Sequence, residues 1–176
     1  MKRITSIFIF LSLIISSATI SSCQEQEQSS NDPINIDIVS SIQSIFNQQD
    51  WNYEIIQTDD ASSHFIVRLA GKNEKMTIHV VVDPRIYHYI VIGIPVDVAP
   101  ISSENFSQVL TALNEFNLTS QCVFASLGSR GDLIFSCGAY TEGNAFSPES
   151  FLTHFFAVTK AIDTETSTLT HCTNLE

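Results

Sequence analysis

The residues best suited to chemistry in this sequence are five histidines and four cysteines. No two histidines are spaced as His-x-x-x-His and no cysteines as Cys-x-x-Cys, which are common spacings of metal ligands. His79 and His88 flank a turn and are expected on adjacent strands, but two imidazoles alone do not define a metal site. We therefore predict that the strand histidines face solvent, with no metal and no cofactor. The histidines are His64, His79, His88, His154 and His171.

Other residue types that catalyse reactions lack the local context that catalysis needs. Gly128-Ser129-Arg130-Gly131 is not followed by a helix, so we predict a turn there rather than a phosphate loop. No serine lies in a nucleophile-elbow context, and Asp59-Asp60 and Asp83 are typical of turns. We predict that the protein is not an enzyme and has no catalytic residues.

The N-terminus has the layout of a secretory signal peptide, which we place at residues 1–22. Met1-Lys2-Arg3 is basic, residues 7–15 are apolar, and small residues follow. Ile20-Ser21-Ser22-Cys23 resembles the lipobox of bacterial lipoproteins, whose cysteine becomes the lipid-modified N-terminus. The resemblance implies lipidation of Cys23, because several acyl chains on one cysteine give stable membrane anchoring. The alternatives are an uncleaved anchor, or Cys23 as an ordinary thiol.

The segment that follows, residues 23–33, is predicted to be a flexible acidic tether, because it contains no aliphatic or aromatic side chain. The chain has 8 Lys+Arg and 19 Asp+Glu, a net charge of −11, and loss of Lys2 and Arg3 lowers this to −13. Such acidity argues against nucleic acid as a partner. Acidic residues after the lipidated cysteine also resemble some Gram-negative surface-export signals. We expect a lipid anchor in the bacterial cell envelope, at the outer membrane or surface rather than the inner membrane.

Hydrophobic periodicity predicts one α+β domain over residues 34–163, followed by a polar, threonine-rich tail over residues 164–176. Helical spacing predicts a first helix at about 34–49, and Ser102-Ser103-Glu104 and Ser147-Pro148-Glu149 are typical starts of a second and third. Alternation predicts the strands Tyr53–Thr58, His64–Ala70, Met76–Asp83, Ile86–Pro95, Gln121–Leu127 and Asp132–Tyr140.

The order of these elements, α-β-β-β-β-α-β-β-α, determines the expected architecture. The first four strands are joined by connections too short for crossover helices, so neighbouring strands must be antiparallel. We predict an antiparallel sheet with the helices packed on one face.

Cys122 and Cys137 lie on the two strands of the last hairpin. Reflection about the turn between Ser129 and Arg130 places them opposite each other, within reach of a disulfide. We favour that disulfide, because an exported protein meets an oxidising compartment. A one-residue change in the turn would instead place the thiols on opposite faces as two small apolar residues. Cys172 is left without an assigned role.

The region from about residue 38 to residue 162 resembles the YbjN family of bacterial proteins, described as sensory-transduction regulators. The resemblance rests on Trp51-Asn52-Tyr53 after the first helix, on the strand ending at Pro95, and on Leu113-Asn114-Glu115-Phe116-Asn117. It implies the fold of type III secretion chaperones, small α+β proteins that often dimerise and hold segments of other proteins. It implies no catalytic residues.

Leu113, Asn114 and Asn117 also have a physical interpretation. The two asparagines lie three residues apart near a helix C-terminus, where carbonyl groups lack partners. Their amides could satisfy the backbone of the next strand, and we favour this structural role over polar recognition.

Tyr87 and Tyr89 project from one face of a strand and are our candidate partner-binding residues. Because Ile66, Val81 and Val91 also oppose the apparent core, both faces of the sheet could be partly apolar. Our first hypothesis is a non-enzymatic, membrane-tethered module that dimerises or binds a protein or peptide through a sheet face left uncovered. The second is an envelope carrier or sensor that holds a small apolar ligand between helix and sheet.

Overall fold

The computed structural model describes residues 33–58, 62–83, 88–99, 101–140 and 146–171. The predicted signal peptide, nearly all of the tether, Cys23, Tyr87 and Cys172 lie outside these ranges. The elements are α1 Pro33–Gln48, β1 Tyr53–Gln57, β2 Ser63–Ala70, β3 Lys75–Asp83, β4 His88–Pro95, α2 Phe106–Thr119, β5 Phe124–Leu127, β6 Leu133–Tyr140 and α3 Pro148–His171. This order confirms the predicted α+β fold.

Six strands form one sheet in the order β1-β2-β3-β4-β6-β5, and every neighbouring pair is antiparallel. The three helices pack on a single face, with α1 against β3, α2 against β5, and α3 against β4 and β6. Alternate residues along each strand therefore point into the core beneath the helices or away from it.

The centre of the core is an aromatic cluster built around Phe46 of α1, which is fully buried. Its ring centroid lies 5.4–5.9 Å from the centroids of five other rings, a separation typical of tilted and edge-to-face packing. Those rings belong to Trp51, Tyr53, Phe65, Phe151 and Phe155. The cluster joins α1, α3 and the first two strands.

A left-handed residue at the end of α1 brings Trp51 into this cluster. Asp50 has a φ of 54°, a conformation that Asp tolerates better than most residues, and the Trp51 N–H donates to the Phe46 carbonyl at 3.0 Å. The chain reverses there, and the Trp51 ring stacks on Phe155 at 4.7 Å.

The third helix begins as predicted but ends later. The Ser147 hydroxyl accepts from the Ser150 N–H at 3.2 Å, which confirms the predicted cap. The predicted frayed tail from residue 164 is wrong for residues 164–171, which continue the helix. Thr166 and Leu169 are buried because they lie one and two turns beyond Ile162 on the same face. The hydroxyls of Thr164 and Thr170 donate to the carbonyls of Lys160 and Thr166, four residues earlier in the helix.

The predicted start of α2 is also wrong. Residues 103–105 form a turn, Asn105 is the N-cap residue without a side-chain hydrogen bond, and the helix begins at Phe106. Three consecutive polar residues resembled a cap, but the Asn105 N–H donates to the Ser102 carbonyl and closes a turn before the helix.

Candidate functional site: the open face of the sheet

The side of the sheet that faces away from the helices carries a band of apolar side chains, which we call the open face. Cross-strand pairing aligns one row of it over all six strands, from β1 at one edge to β5 at the other. The row is Glu54, Ile66, His79, Ile92, Ser136 and Phe124. A second, parallel row is Ile56, His64, Val81, Ile90 and Gly138.

The apolar members of these rows are not fully shielded by one another. Ile66, Val81, Ile90 and Ile92 are half-buried, whereas Ile56 and Phe124 near the two edges are 46% and 62% exposed. No helix lies over them among the residues that the structure describes. The predicted uncovered apolar face therefore exists.

Tyr89, one of the two tyrosines predicted to bind a partner, is not part of this face. Tyr89 is 2% exposed beneath α3, and its hydroxyl lies 2.9 Å from Nδ1 of His154. Burial raises the pKa of Tyr89 to about 12, so the phenol stays protonated. The predicted role of Tyr89 is wrong because the tyrosine side of β4, not its isoleucine side, faces the helices. Val91, predicted to oppose the core, is fully buried for the same reason. Tyr87 lies outside the described residues.

Two histidines meet on the open face. Nε2 of His64 on β2 lies 2.9 Å from Nδ1 of His79 on β3, and their ring planes are inclined at 42°. Partial burial, followed by the nearby His64 and Arg68, lowers the pKa of His79. His79 and His88 lie on the adjacent strands β3 and β4, as expected, but they are not opposed, because His79 lies opposite Ile92 and His88 lies opposite Asp83.

Sequence reasoning missed this histidine pair although a signal for it existed. The short turn between β2 and β3 sets Ile66 opposite His79, so His64, two residues earlier on the same face, is a diagonal neighbour. Diagonal neighbours across antiparallel strands lie within reach of aromatic side chains.

Two ion pairs lie at the margins of the open face. Arg68 donates to Glu54 at 2.6 Å, and Lys75 lies 3.3 Å from Asp97. Both pairs are exposed, so each contributes little to stability. Within each pair the charges cancel, so these four residues add no net charge to the face, although the chain has a net charge of −11.

Asn117 has the structural role that we predicted, and Asn114 does not share it. The Asn117 side chain donates to the Ala125 carbonyl at 2.9 Å and accepts from the Ala125 N–H at 2.8 Å. It thereby satisfies backbone groups on the outer edge of β5, where a further strand would otherwise pair. Asn114 is exposed, whereas Leu113 is 3% exposed and packs in the core.

The predicted register of the last hairpin is wrong by one residue. Phe124 lies opposite Ser136 and Leu127 opposite Leu133, so the turn contains residues 128–132. Cys122 therefore precedes β5 and is exposed, Cys137 is buried, and both are free thiols. A side-chain hydrogen bond nevertheless joins the two cysteines, so the disulfide stays a prediction.

A cleft of about 440 Å³ lies on the opposite side of the sheet, between α3 and the turn that joins β2 and β3. Its lining is mainly apolar and includes Trp51, Met76 and the half-exposed Phe156, with Lys160 and Asp163 at its polar end. The Asp163 carboxylate accepts from the backbone N–H groups of Asn73 and Glu74 at 2.7 and 3.0 Å. These bonds lower the pKa of Asp163 and hold the turn against α3. Our second hypothesis placed an apolar ligand between helix and sheet, but it named none of the residues that line this cleft.

Within the described ranges, no group of three or more His, Cys, Asp or Glu side chains could hold a metal ion. None of the helices there is long and apolar enough to cross a membrane.

Comparison with known proteins adds one resemblance. No protein family and no curated protein matches the chain. The chain is similar to one in the solved structure of the HopA1-SchA chaperone-effector complex, with 12% identity, coverage of 72% of this chain and 90% of that one, and a TM-score of 0.47. Neither the identity nor the TM-score is high enough for that complex to indicate what this protein binds. Membership of the YbjN family stays a prediction.

Proposed function

We propose that this protein is a non-enzymatic lipoprotein, tethered to a bacterial membrane through Cys23, whose open face binds a second copy of the chain. The observation that supports this association is an apolar sheet face over which no helix of the described residues lies, since large exposed apolar patches commonly mark sites of association. Members of the YbjN family, which the sequence resembles, are not expected to carry catalytic residues.

The open face has a suitable size for a protein partner. Six strands at a spacing of about 4.8 Å, each about 26 Å long where it has eight residues, give a flat footprint of about 600 Å². Stable complexes bury about 800 Å² on each partner, so the whole face and part of its surroundings would take part. A flat sheet also suits another sheet, because two sheets pack face to face at about 10 Å.

The local composition of the open face, rather than the net charge of the chain, allows a second copy to bind. The chain as a whole has a charge of −11, so two copies repel each other through most of their surfaces. On the open face Glu54 and Arg68 neutralise each other, and the apolar Ile66, Val81, Ile90 and Ile92 surround the two histidines at its centre. This surface therefore allows close approach of another copy without the burial of unpaired charge.

Replacement of Ile92 by aspartate tests the proposed interface, because it would bury a charge at the centre of the face. We expect sedimentation equilibrium of the detergent-solubilised full chain to show dimers for the wild type and monomers for Ile92→Asp. Leu118→Asp is the matched control, since Leu118 is 86% exposed on α2 and the variant should remain dimeric. Circular dichroism establishes that both variants fold.

Two outcomes would contradict self-association. One is a wild-type protein that stays monomeric at its highest soluble concentration. The other is Ile92→Asp dimerising as well as the wild type. A photo-reactive amino acid at position 92 that captures a different envelope protein in cells, and no second copy, would assign the open face to another polypeptide.

The membrane tether has its own prediction, which concerns residues outside the described ranges. Cells fed a labelled fatty acid should incorporate label into the wild type, because the lipobox cysteine carries the acyl chains. Cys23→Ala should abolish the label and release the protein from the membrane fraction, whereas Cys122→Ser should retain both. Label that survives Cys23→Ala would disprove the lipoprotein assignment.

The cleft supports an alternative function, that of an envelope carrier or sensor of a small apolar ligand. Its apolar lining and its volume of about 440 Å³ are suited to part of such a molecule. Trp51 is the only tryptophan of the chain and lines the cleft, so its emission is a direct probe of occupancy.

A further inference from the structure

We infer that the hydrogen-bonded pair of His64 and His79 makes self-association through the open face dependent on pH. The dimer forms while the pair is neutral and dissociates when the pair takes up protons. This inference rests on the proposed function, because a second copy on the open face is what would remove the two rings from water.

The two histidines lie in the part of the open face that a second copy would cover. His64 is on β2 and His79 is on β3, and both strands are in the interior of the sheet. Both residues are half-buried, so part of each side chain is still in contact with water. The residues directly opposite the two histidines on the neighbouring strands are all aliphatic: Ile56 and Val81 for His64, and Ile66 and Ile92 for His79. Contact with a second sheet would therefore leave the two rings in largely apolar surroundings.

The hydrogen bond between the rings makes the neutral pair the form that is suited to burial. Nε2 of His64 and Nδ1 of His79 lie 2.9 Å apart, and in the neutral pair one of these nitrogens donates its N–H to the other. Each facing nitrogen then has a partner, and the pair carries no charge. One added proton gives the pair a positive charge. A second places N–H groups on both facing nitrogens, which removes the acceptor and breaks the bond.

Burial determines the direction of the pH effect. Partial burial, followed by the nearby His64 and Arg68, already lowers the pKa of His79 below its ordinary value of 6.5 in the single chain. Cover by a second copy would lower this pKa further, because burial disfavours the charged ring. Two free chains therefore bind more protons than the dimer does, so the affinity of the dimer falls as the pH falls below 6.5. In a two-fold interface the pair occurs on both copies, which doubles the effect.

The charged groups around the pair do not compensate two protons. Glu54 of β1 is already engaged by Arg68 of β2 at 2.6 Å. Asp83 lies on the same face at the end of β3, opposite the backbone of His88 on β4. The residues of β4 nearest the pair on this face are aliphatic, namely Ile90, Ile92 and Ile94. Within the part of the chain that the structure describes, Asp83 can balance at most one positive charge, so a doubly protonated pair would be buried with an unpaired charge.

Sedimentation equilibrium of the detergent-solubilised full chain at about pH 7.5 and about pH 5.5 tests the inference. We expect the dissociation constant of the wild-type dimer to rise about a hundredfold, because release of one proton per chain on association changes it about a hundredfold per pH unit. The double variant His64→Gln/His79→Gln cannot take up these protons. It should dimerise as well or better at the lower pH, since acid reduces the repulsion between chains whose charge is −11.

His154→Gln is the matched control, because His154 lies on the helix side of the sheet, where its Nδ1 is 2.9 Å from the Tyr89 hydroxyl. It should keep the pH dependence of the wild type, and circular dichroism at both pH values establishes that each chain is folded. A wild-type dimer that is equally tight at both pH values would overturn the inference and leave the proposed dimer intact. A double variant that responds to pH as the wild type does would have the same consequence. A wild type that is monomeric at about pH 7.5 would contradict the dimer itself, and the inference with it.

Discussion

Phe46→Ala is expected to lower the free energy of unfolding by about 4 kcal/mol, through loss of apolar burial and the cavity that remains. Phe46 is fully buried, and its ring lies within 6 Å of five other aromatic rings. Those rings come from α3, β1, β2 and the segment after α1, so their side chains cannot close the cavity without moving whole elements. Since domains have only about 5–15 kcal/mol of stability, the variant should unfold at a much lower urea concentration.

The matched control is Phe106→Ala at the start of α2, where the same ring is 45% exposed. Its cost should be below about 1 kcal/mol, as for most surface substitutions. Equal destabilisation by the two substitutions would show that the cluster around Phe46 is not the centre of the core. Urea denaturation followed by circular dichroism measures both.

The sequence was sufficient to predict the elements because most of them depend on local pattern. In β2, Phe65 and Val67 alternate with His64 and Ile66, so a strand and its two faces could be assigned directly. Short turns then required antiparallel pairing. Ser147 before Pro148 likewise predicted the start of α3, because capping involves only neighbouring residues.

The sequence was not sufficient to assign the core side of a strand whose two faces were both apolar. In β4 one face carries Tyr89 and Val91 and the other carries Ile90 and Ile92, so alternation could not tell which face the helices cover. The strand pairing shows which face of β4 is covered. Tyr89 lies opposite Val82 and Val91 lies opposite Val80, and both valines are core residues of β3. The core-facing residues of β3 determine which residues of β4 face the core, because the two strands pair through a short turn. Use of this rule would have identified the open face.

A similar difficulty affected α3 beyond residue 163. Threonine has a modest helix propensity, and its density after Thr164 suggested an irregular tail. The stretch stays helical because Leu169 is buried against the rest of the domain, a tertiary contact that local composition does not reveal.

Oxidation of the hairpin thiols is the second large effect that we expect. Incubation with oxidised glutathione should join Cys122 to Cys137. The two thiols lose two electrons and two protons in total, and the glutathione disulfide takes them up and leaves as two thiols. Closing this 16-residue loop should stabilise the protein by about 3 kcal/mol, which corresponds to a rise in melting temperature of about 10 °C. Dithiothreitol should reverse the change, as measured by thermal denaturation and a count of free thiols.

The shifted register does not prevent this bond, because Cys122 lies before β5 and is not held by strand pairing. It is exposed, and a hydrogen bond joins it to Cys137. Burial, and then the neighbouring Cys122, raises the pKa of the Cys137 thiol to about 11. Cys122 should therefore react first with glutathione, and closure by Cys137 should be slow near pH 7 and faster as the pH rises toward 11. Cys172→Ser should behave as the wild type does, whereas Cys122→Ser and Cys137→Ser should gain no stability. An oxidised wild type that is no more stable than the reduced protein would show that the hairpin cysteines remain two separate thiols.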